Sequence, residues 1–346
     1  MTELFIYPVI FLIALWSSGA LYFDVGDGGW KGWGLFGLCW IAASAAVLLL
    51  TPLLAAFAVG ITFTLFLLWW LRQEPSHERA WDACFDRLPK VSREGKTIRV
   101  TNMRHSRYVS QGKCEVHWEE RCFDLSKLQA VDAMIIFWGG TWKCHPMAIF
   151  DFGTDGKLCF SIEVRYREGE EFGILPGIYR QNELMYVVCD ERDAILRRCI
   201  YYADIDCYLY RLQSDIEFAR GLLEEYIAAT NEIFENPKWY HAFCSNCTTE
   251  IIRNRREEVP WDWRMLLNGR FDKMLYDKQL LLNSLPFDEL KAKSRVNEIA
   301  QSAQYEHFAE EIRKRLPGFD EHDRAKSKAE PDGESKVAES PGASKA

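Results

Sequence analysis

Cys247 stands where a thiol is well placed to act as a nucleophile. It follows Asn246 and precedes Thr248 and Thr249, a pattern typical of a helix that begins after a loop. The N-terminus of a helix carries a partial positive charge and free N–H groups, which lower the pKa of a nearby thiol and can bind an oxyanion. The sequence therefore predicts a catalytic thiolate at Cys247.

Three other interpretations of this cysteine remain open. A free cysteine is often a small buried hydrophobic residue. His241, Cys244 and Cys247 also have the spacing of zinc ligands, but the chain offers no second Cys-x-x-Cys to complete a site. Cys244 and Cys247 also form a possible Cys-x-x-Cys redox pair. The sequence thus predicts no metal site and no cofactor.

His145 and Glu163 are the candidate base and its orienting carboxylate. Both flank a Gly-Thr-Asp-Gly turn between two short apolar runs, which predicts a β-hairpin. A three-residue loop would pair Gly153 with Lys157 and place Glu163 diagonally to His145 on one face. A two-residue turn would instead put the two side chains on opposite faces. In the first arrangement the carboxylate fixes the imidazole tautomer, and the other nitrogen can take a thiol proton.

Weaker candidates surround this pair. Asn246 is interpreted either as a helix cap or as an oxyanion ligand. Trp138, Gly139 and Gly140 form either a tight turn or a place where a substrate backbone approaches.

These residues belong to a chain of 346 residues with 48% hydrophobic and 27% charged residues. Both values are typical of globular proteins. The net charge of −8 argues against a nucleic-acid-binding protein, which needs a basic surface to meet phosphate. Because the chain has 11 cysteines, an odd number, disulfides cannot pair all of them.

Residues 1–75 form a predicted membrane region. Before Arg72 the only charged residues are Glu3, Asp24, Asp27 and Lys31. An uncharged stretch of about 20 residues is long enough to cross a bilayer as a helix. Pro52 divides the second apolar stretch, so we predict three spans, at about 4–23, 34–50 and 53–71, joined by a loop from Asp24 to Trp33 and by a tight turn. The loop charges do not decide the orientation.

Residues 76–316 predict a soluble α+β domain. Alternating and apolar runs predict strands at 97–103, 133–138, 147–152, 158–165, 184–189 and 207–212. A capping box from Ser214 to Glu217 begins a helix that ends at Asn236. A last amphipathic helix is predicted at 291–315. Glu191, Arg192 and Asp193 favour a structural charge cluster, and the polar composition of 317–346 predicts a disordered tail.

Several sequence blocks occur together in one order, which gives the chain a family resemblance. They are His145-Pro-Met-Ala-Ile-Phe-Asp-Phe-Gly153, Phe160-Ser-Ile-Glu-Val-Arg165, Glu170-Glu-Phe172, Tyr186-Val-Val-Cys-Asp-Glu-Arg-Asp193, Tyr208-Leu-Tyr-Arg211 and Asn246-Cys-Thr-Thr249. Over roughly residues 95–256 the chain resembles the Lnb N-terminal periplasmic domain family of bacteria. More distantly it resembles the circularly permuted, NlpC-like branch of the papain-like cysteine enzymes. The family usually has a serine where this chain has Ile149.

The resemblance implies a circularly permuted papain-like fold, with an antiparallel sheet and packed helices following the membrane helices. It implies Cys247 as nucleophile, His145 as base and Glu163 as orienting carboxylate. It also implies a bacterial inner-membrane protein whose soluble domain faces the periplasm. The implied substrate is a membrane phospholipid or a lipoprotein.

Three functions follow as hypotheses. The first is a cysteine acyltransferase of the lipoprotein N-acyltransferase type, which predicts an apolar groove beside Cys247 that opens toward the bilayer. The second is a cell-wall cysteine amidase or peptidase with the same residues, which predicts a polar, solvent-facing cleft. The third is a non-enzymatic membrane scaffold, in which Cys247 and His145 lie far apart. The two catalytic hypotheses require a sulfur–nitrogen distance within about 4 Å.

Overall fold

The chain begins with three apolar helices. A computed structural model describes residues 3–138, 140, 143–170, 173–202, 204–241, 262, 264 and 269–319. The helices are α1 (Glu3–Ala20, continued by a wider turn at Leu21–Val25), α2 (Trp30–Leu49) and α3 (Pro52–Leu71). All three are long and apolar enough to cross a membrane, as predicted.

The first connection is tighter than predicted. The first span continues to Val25 and the second begins at Trp30, so only residues 26–29 lie between them. Two glycines permit this approach, because a Cβ added at Gly26 would lie 2.2 Å from the Cα of Gly32. The predicted loop from Asp24 to Trp33 is therefore wrong at both ends.

The soluble part is built on a mixed sheet of eight strands. The strands among the described residues are β1 (Lys90–Glu94), β2 (Thr97–Arg104), β3 (Arg107–Ser110), β4 (Lys113–Glu115), β5 (Trp118–Asp124), β6 (Ala130–Trp138), β7 (Cys144–Asp151), β8 (Lys157–Arg165), β9 (Glu183–Asp190) and β10 (Ile205–Arg211). The main sheet has the order β1-β2-β9-β8-β7-β6-β10, with β5 also paired to β2, and β3 and β4 form a separate pair. Strands β2 and β9 are parallel, at Arg104 and Cys189, so the predicted all-antiparallel sheet is wrong there.

Helices cover both faces of this sheet. They are α4 (Ile174–Ile178), α5 (Glu191–Leu196, followed by a wider turn at Arg197–Tyr201), α6 (Ile216–Glu235), α7 (Phe271–Asp277), α8 (Phe287–Lys293), α9 (Asn297–Ser302) and α10 (Phe308–Arg313). The cap of α6 is Asp215, whose carboxylate accepts the Phe218 N–H, and not the predicted Ser214.

The predicted helix at 291–315 is three short helices. The chain leaves the helical path after Lys293 because its backbone bonds to the edge of β10. The Leu209 N–H donates to the Ser294 carbonyl, and the Val296 N–H donates to the Cys207 carbonyl. An edge strand leaves backbone groups unpaired, and this segment satisfies them. The chain also stays packed beyond the predicted start of the tail, since Phe319 is only 7% exposed.

The two faces of the sheet have separate cores, because side chains alternate along each strand. Ala148 and Phe160 pack toward Tyr226 of α6. Met147 and Cys159 face the opposite side and pack in a core with α9 and α10. His145 has the same parity as Met147, so it lies on the face away from α6.

Buried ion pairs join the sheet to the helices that follow it. The guanidinium of Arg104 donates two bonds to Asp193, at 2.8 and 3.0 Å to Oδ1, and Asp193 is fully buried. Arg313 bonds to both Asp132 and Glu191. Glu191 and Asp193 therefore form buried ion pairs, which agrees with the interpretation of 191–193 as a structural charge cluster.

Candidate functional site

His145 and Glu163 meet on one face of the sheet, together with a residue between them. The Nε2 atom of His145 lies 2.7 Å from Ser161 Oγ and 3.3 Å from Glu163 Oε1. The Ser161 hydroxyl donates to the same Glu163 oxygen at 2.5 Å. The side chains of His145 and Glu163 are 8% and 15% exposed, so the three groups interact largely out of water.

This arrangement favours one tautomer of His145. A serine hydroxyl has a single proton, and here it donates that proton to Glu163. It must then accept a hydrogen bond from the His145 Nε2–H. A neutral imidazole protonated at Nε2 carries its basic lone pair on Nδ1.

Arg198 completes the cluster. Its Nη2 forms an ion pair with Glu163 Oε1, and its side chain is 10% exposed. Burial alone would raise the pKa of Glu163. The charge of Arg198 and the contacts with His145 and Ser161 outweigh it and hold the pKa well below its usual range. Glu163 is thus a fixed negative charge that stabilises an imidazolium when His145 takes a proton.

Arg198 is positioned by the wider helical turn at Arg197–Tyr201 that follows α5. Such turns insert one residue into a helix and occur often at functional sites. Here the inserted turn directs Arg198 toward the sheet face that carries Glu163.

The hairpin register differs from the prediction. Residues 152–156 form the loop, with a short helical turn at Gly153–Asp155, and the first pair is Asp151 with Lys157. The Asp151 carboxylate accepts the Gly153 N–H at 2.9 Å and forms an ion pair with Lys157. Lys157 is therefore paired with Asp151, two residues before the predicted partner Gly153. Continued along the strands, this register places Glu163 directly opposite His145 rather than diagonal to it. The predicted shared face is kept because the shift is an even number of residues.

Trp138 lies beside this cluster at the end of β6. Its ring centroid is 6.4 Å from that of His145, so it covers one side of the imidazole. Gly140 has a positive φ of 110°, which favours glycine. Gly139, Asn246 and Cys247 lie outside the described residues, so the predicted contact between Cys247 and His145 stays a prediction.

The chain approaches Cys247 from the membrane end of the domain. The Trp239 indole N–H donates to the Gln73 carbonyl, two residues after α3, at 3.3 Å. The Tyr240 N–H donates to the Asn182 carbonyl at 2.9 Å, at the start of β9. Cys247 follows His241 by six residues, which span at most about 20 Å.

Glu163 lies close to this end of the sheet. Glu183, the first residue of β9, pairs with Arg165, the last residue of β8, and Glu163 lies two residues before Arg165. Two residues of a strand cover about 7 Å.

One cavity lies beside Arg198, and another lies on the opposite face of the sheet. A polar cleft of about 530 Å³ is lined by Arg198, Tyr202, Asp206, Arg295 and Glu298, among others. An apolar cavity of about 90 Å³ lies on the α6 side of the sheet, lined by residues such as Ala148 and Tyr226. The second cavity is on the face opposite His145. The apolar groove predicted beside Cys247 falls outside the described residues.

No group of three potential metal ligands occurs among the residues that the structure describes. His241, the one described member of the zinc hypothesis, lies near Arg180. Burial and this positive charge both lower the pKa of His241. The same positive charge disfavours a bound cation, whereas Cys244 and Cys247 lie outside the described residues.

Ser161 and Arg198 were not predicted from sequence. Ser161 had a usable signal, because residues two apart on a strand share a face and Ser161 precedes Glu163 by two. Arg198 had none, since its contact with Glu163 joins residues 35 apart in the chain through the fold.

Glu163 should make stability depend on pH in a specific way. Its pKa is depressed in the folded protein from an ordinary value of 4.5. Its ionised form therefore stabilises the fold above that range, and the contribution is lost as pH falls through the folded pKa. We expect Glu163→Gln to lower the unfolding temperature at pH 7. The difference from the unaltered protein should persist at pH 5 and shrink only below about pH 4.

The control is Glu224→Gln, which removes an exposed carboxylate paired with Arg93. It should change the unfolding temperature little at any pH. A Glu163→Gln difference that already disappears between neutral pH and pH 6 would contradict the depressed pKa.

A mixed sheet with a buried His–Ser–Glu–Arg cluster, attached to three apolar helices, defines a membrane-anchored α+β protein. Residues 115–269 match the sequence model of the Lnb N-terminal periplasmic domain family, which confirms the resemblance. Comparisons with curated proteins and with solved structures returned no match. The helices and the family match together indicate a membrane protein with a periplasmic domain.

Proposed function

We propose that this protein is a cysteine acyltransferase of the bacterial inner membrane, with its catalytic domain in the periplasm. Cys247 is the nucleophile, His145 the base, and Glu163 the carboxylate that orients it. The observation that carries the proposal is the buried relay of His145, Ser161, Glu163 and Arg198 on the sheet face. Such a relay fixes the tautomer of a histidine and stabilises its charged form, which is what a general base requires.

The reaction has two balanced steps. His145 accepts the proton of Cys247, and the thiolate attacks the carbonyl carbon of a lipid ester. A carbon–sulfur bond forms, the ester carbon–oxygen bond breaks, and the leaving alkoxide takes the proton from His145. An amine then attacks the thioester, forming an amide bond and breaking the carbon–sulfur bond. His145 takes the proton of the amine and returns it to the departing thiolate.

The position of the site near the membrane end supports a lipid donor. The segment that leads to Cys247 is bonded to residue Gln73, just beyond α3. Arg165, which shares the strand with Glu163, packs its guanidinium on Trp81 at 4.1 Å in the segment that follows the spans. An ester at the bilayer surface would have a short path to this face. In this proposal the fold is a permuted papain-like domain, in which the histidine strand precedes the nucleophile helix.

One observation favours a second function, a cell-wall amidase or peptidase. The polar cleft beside Arg198 has charged walls of both signs and would suit a hydrated peptide better than an acyl chain. The same three residues would then transfer the acyl group to water.

The deciding experiment detects the acyl-enzyme directly. The full chain in detergent is incubated with an N-acetylated diacylated lipopeptide or with phosphatidylglycerol, neither of which carries a free amine, and its intact mass is measured. We expect one acyl group on Cys247, because the intermediate accumulates when the second step lacks its acceptor. The Cys247→Ser variant should not accumulate it, whereas Cys122→Ser, which changes an exposed cysteine on β5, should behave as the unaltered chain.

Three outcomes separate the hypotheses. An adduct that moves to an added amine supports acyl transfer. An adduct that decays equally fast with and without the amine indicates the hydrolase. No adduct from any lipid or peptide donor would leave the non-enzymatic scaffold.

A further inference from the structure

The segment 173–181, between β8 and β9, contacts the membrane helices. Tyr179 stacks on Phe23 with ring centroids 5.3 Å apart, and its ring lies 6.2 Å from that of Trp16. A Cβ added at Gly19 would lie 2.1 Å from the Tyr179 hydroxyl oxygen. Gly19 precedes the end of the first span, Val25, by six residues, or about 9 Å of helix. The Tyr179 side chain therefore packs alongside the first candidate span, about 9 Å before its end.

Polar contacts hold the same segment at the end of the spans. The Gln181 side-chain amide donates to Asp24 Oδ1 at 2.6 Å, and the Trp70 indole N–H donates to Asp24 Oδ2 at 2.9 Å. The guanidinium of Arg180 lies over the Trp70 ring at 4.1 Å. Tryptophan and arginine side chains are typical of a membrane–water interface. Their contacts hold the segment at the end of the candidate spans.

The helix α4 lies directly before these contacts. Its sequence is Ile-Leu-Pro-Gly-Ile, without a charge, and Leu175 is 60% exposed. A large exposed apolar side chain, four residues before a tyrosine that packs against the first candidate span, is typical of a membrane contact.

We propose that residues 174–181 form an interfacial anchor that lies in the periplasmic leaflet, with Leu175 in contact with lipid and Tyr179 seated against α1. The partner is the lipid of the bilayer that the three helices span. The anchor fixes the tilt and height of the domain above the membrane, which three helices joined by a flexible linker would not do. It does not depend on the chemistry proposed for Cys247.

A photocrosslinking experiment tests this contact. Leu175→p-benzoylphenylalanine is made in the full chain, which is placed in bilayers of phosphatidylethanolamine and phosphatidylglycerol and irradiated. The control is Val109→p-benzoylphenylalanine, a residue on β3 that is equally exposed, at 59%. We expect about tenfold more lipid adduct at position 175, since an apolar side chain in the interface is surrounded by lipid. Equal yields at the two positions, or a protein adduct in place of lipid at 175, would overturn the proposal.

A second pair of variants tests the seat of Tyr179. Gly19→Val places methyl groups where the Tyr179 ring lies, whereas Gly37→Val adds them where no atom lies within 4 Å. In the position-175 background we expect the first change to lower the lipid adduct several-fold and the second to leave it unchanged. An unchanged yield in Gly19→Val would show that Tyr179 does not hold the anchor.

Discussion

Replacing His145 with alanine should slow the formation of the acyl adduct on Cys247 by about 10²–10⁴-fold, which is the usual contribution of a positioned acid–base group. Without an imidazole, no group in the relay can take the thiol proton. The rate is measured by intact mass at intervals after donor lipid is added. Because His145 is mostly buried, the unfolding temperature of the variant is measured in the same preparation.

A matched histidine variant separates catalysis from general damage. His307→Ala changes a side chain that is 60% exposed, far from the relay in the chain, and should leave the rate unchanged. If His145→Ala remains folded and forms the adduct within about twofold of the normal rate, the assignment of the base is wrong, because a slowing of at least about 10²-fold is expected.

Removing Asp193 should destabilise the protein more than any surface change. Asp193→Ala leaves the guanidinium of Arg104, which is 3% exposed, buried without its partner. Breaking a buried pair in this way typically costs about 3–5 kcal/mol. Asp193 also accepts the Ser106 N–H at 2.8 Å, so a backbone donor loses its partner as well. Denaturant unfolding of the full chain in detergent measures the loss.

The comparison is with an exposed ion pair. Glu224→Ala breaks a pair with Arg93 whose side chains are 39% and 53% exposed, and exposed pairs contribute about 1 kcal/mol or less. Similar losses in the two variants would mean that Arg104 and Asp193 do not lock the sheet to α5.

The sequence predicted the membrane helices and six of the described strands, because these depend on local patterns, but it missed β1, β3, β4 and β5. The alternation along 158–165 is that of a single strand, and the lack of charge in 53–71 is that of a single membrane helix, so each can be recognised without knowing the rest of the fold. The shared face of His145 and Glu163 was predictable for the same reason. An even-numbered shift of the hairpin register preserves which side chains lie together.

Contacts between distant parts of the chain decided what the sequence could not predict. The helix predicted at 291–315 is interrupted because residues near Ser294 bond to β10, whose position follows from the whole sheet. Arg198 reaches Glu163 only after α5 has packed beside β8. Asp151 bonds to Gly153 and Lys157, so the hairpin loop has five residues instead of the three that the turn residues alone predicted.

The parallel pairing of β2 with β9 has a consequence for how the domain forms during export. Strands β1, β2 and β5 pair among themselves, and β6 to β9 pair each with the next, so both groups can assemble from nearby residues. Among the described residues, the strand pairing between the two groups is that of Arg104 of β2 with Cys189 of β9. A chain translocated from its N-terminus can therefore pair most of β2 with β1 and β5 early, and only the end of β2 near Arg104 waits until β9 has crossed the membrane. During that interval this short unpaired end is the part of the sheet that can pair with another chain.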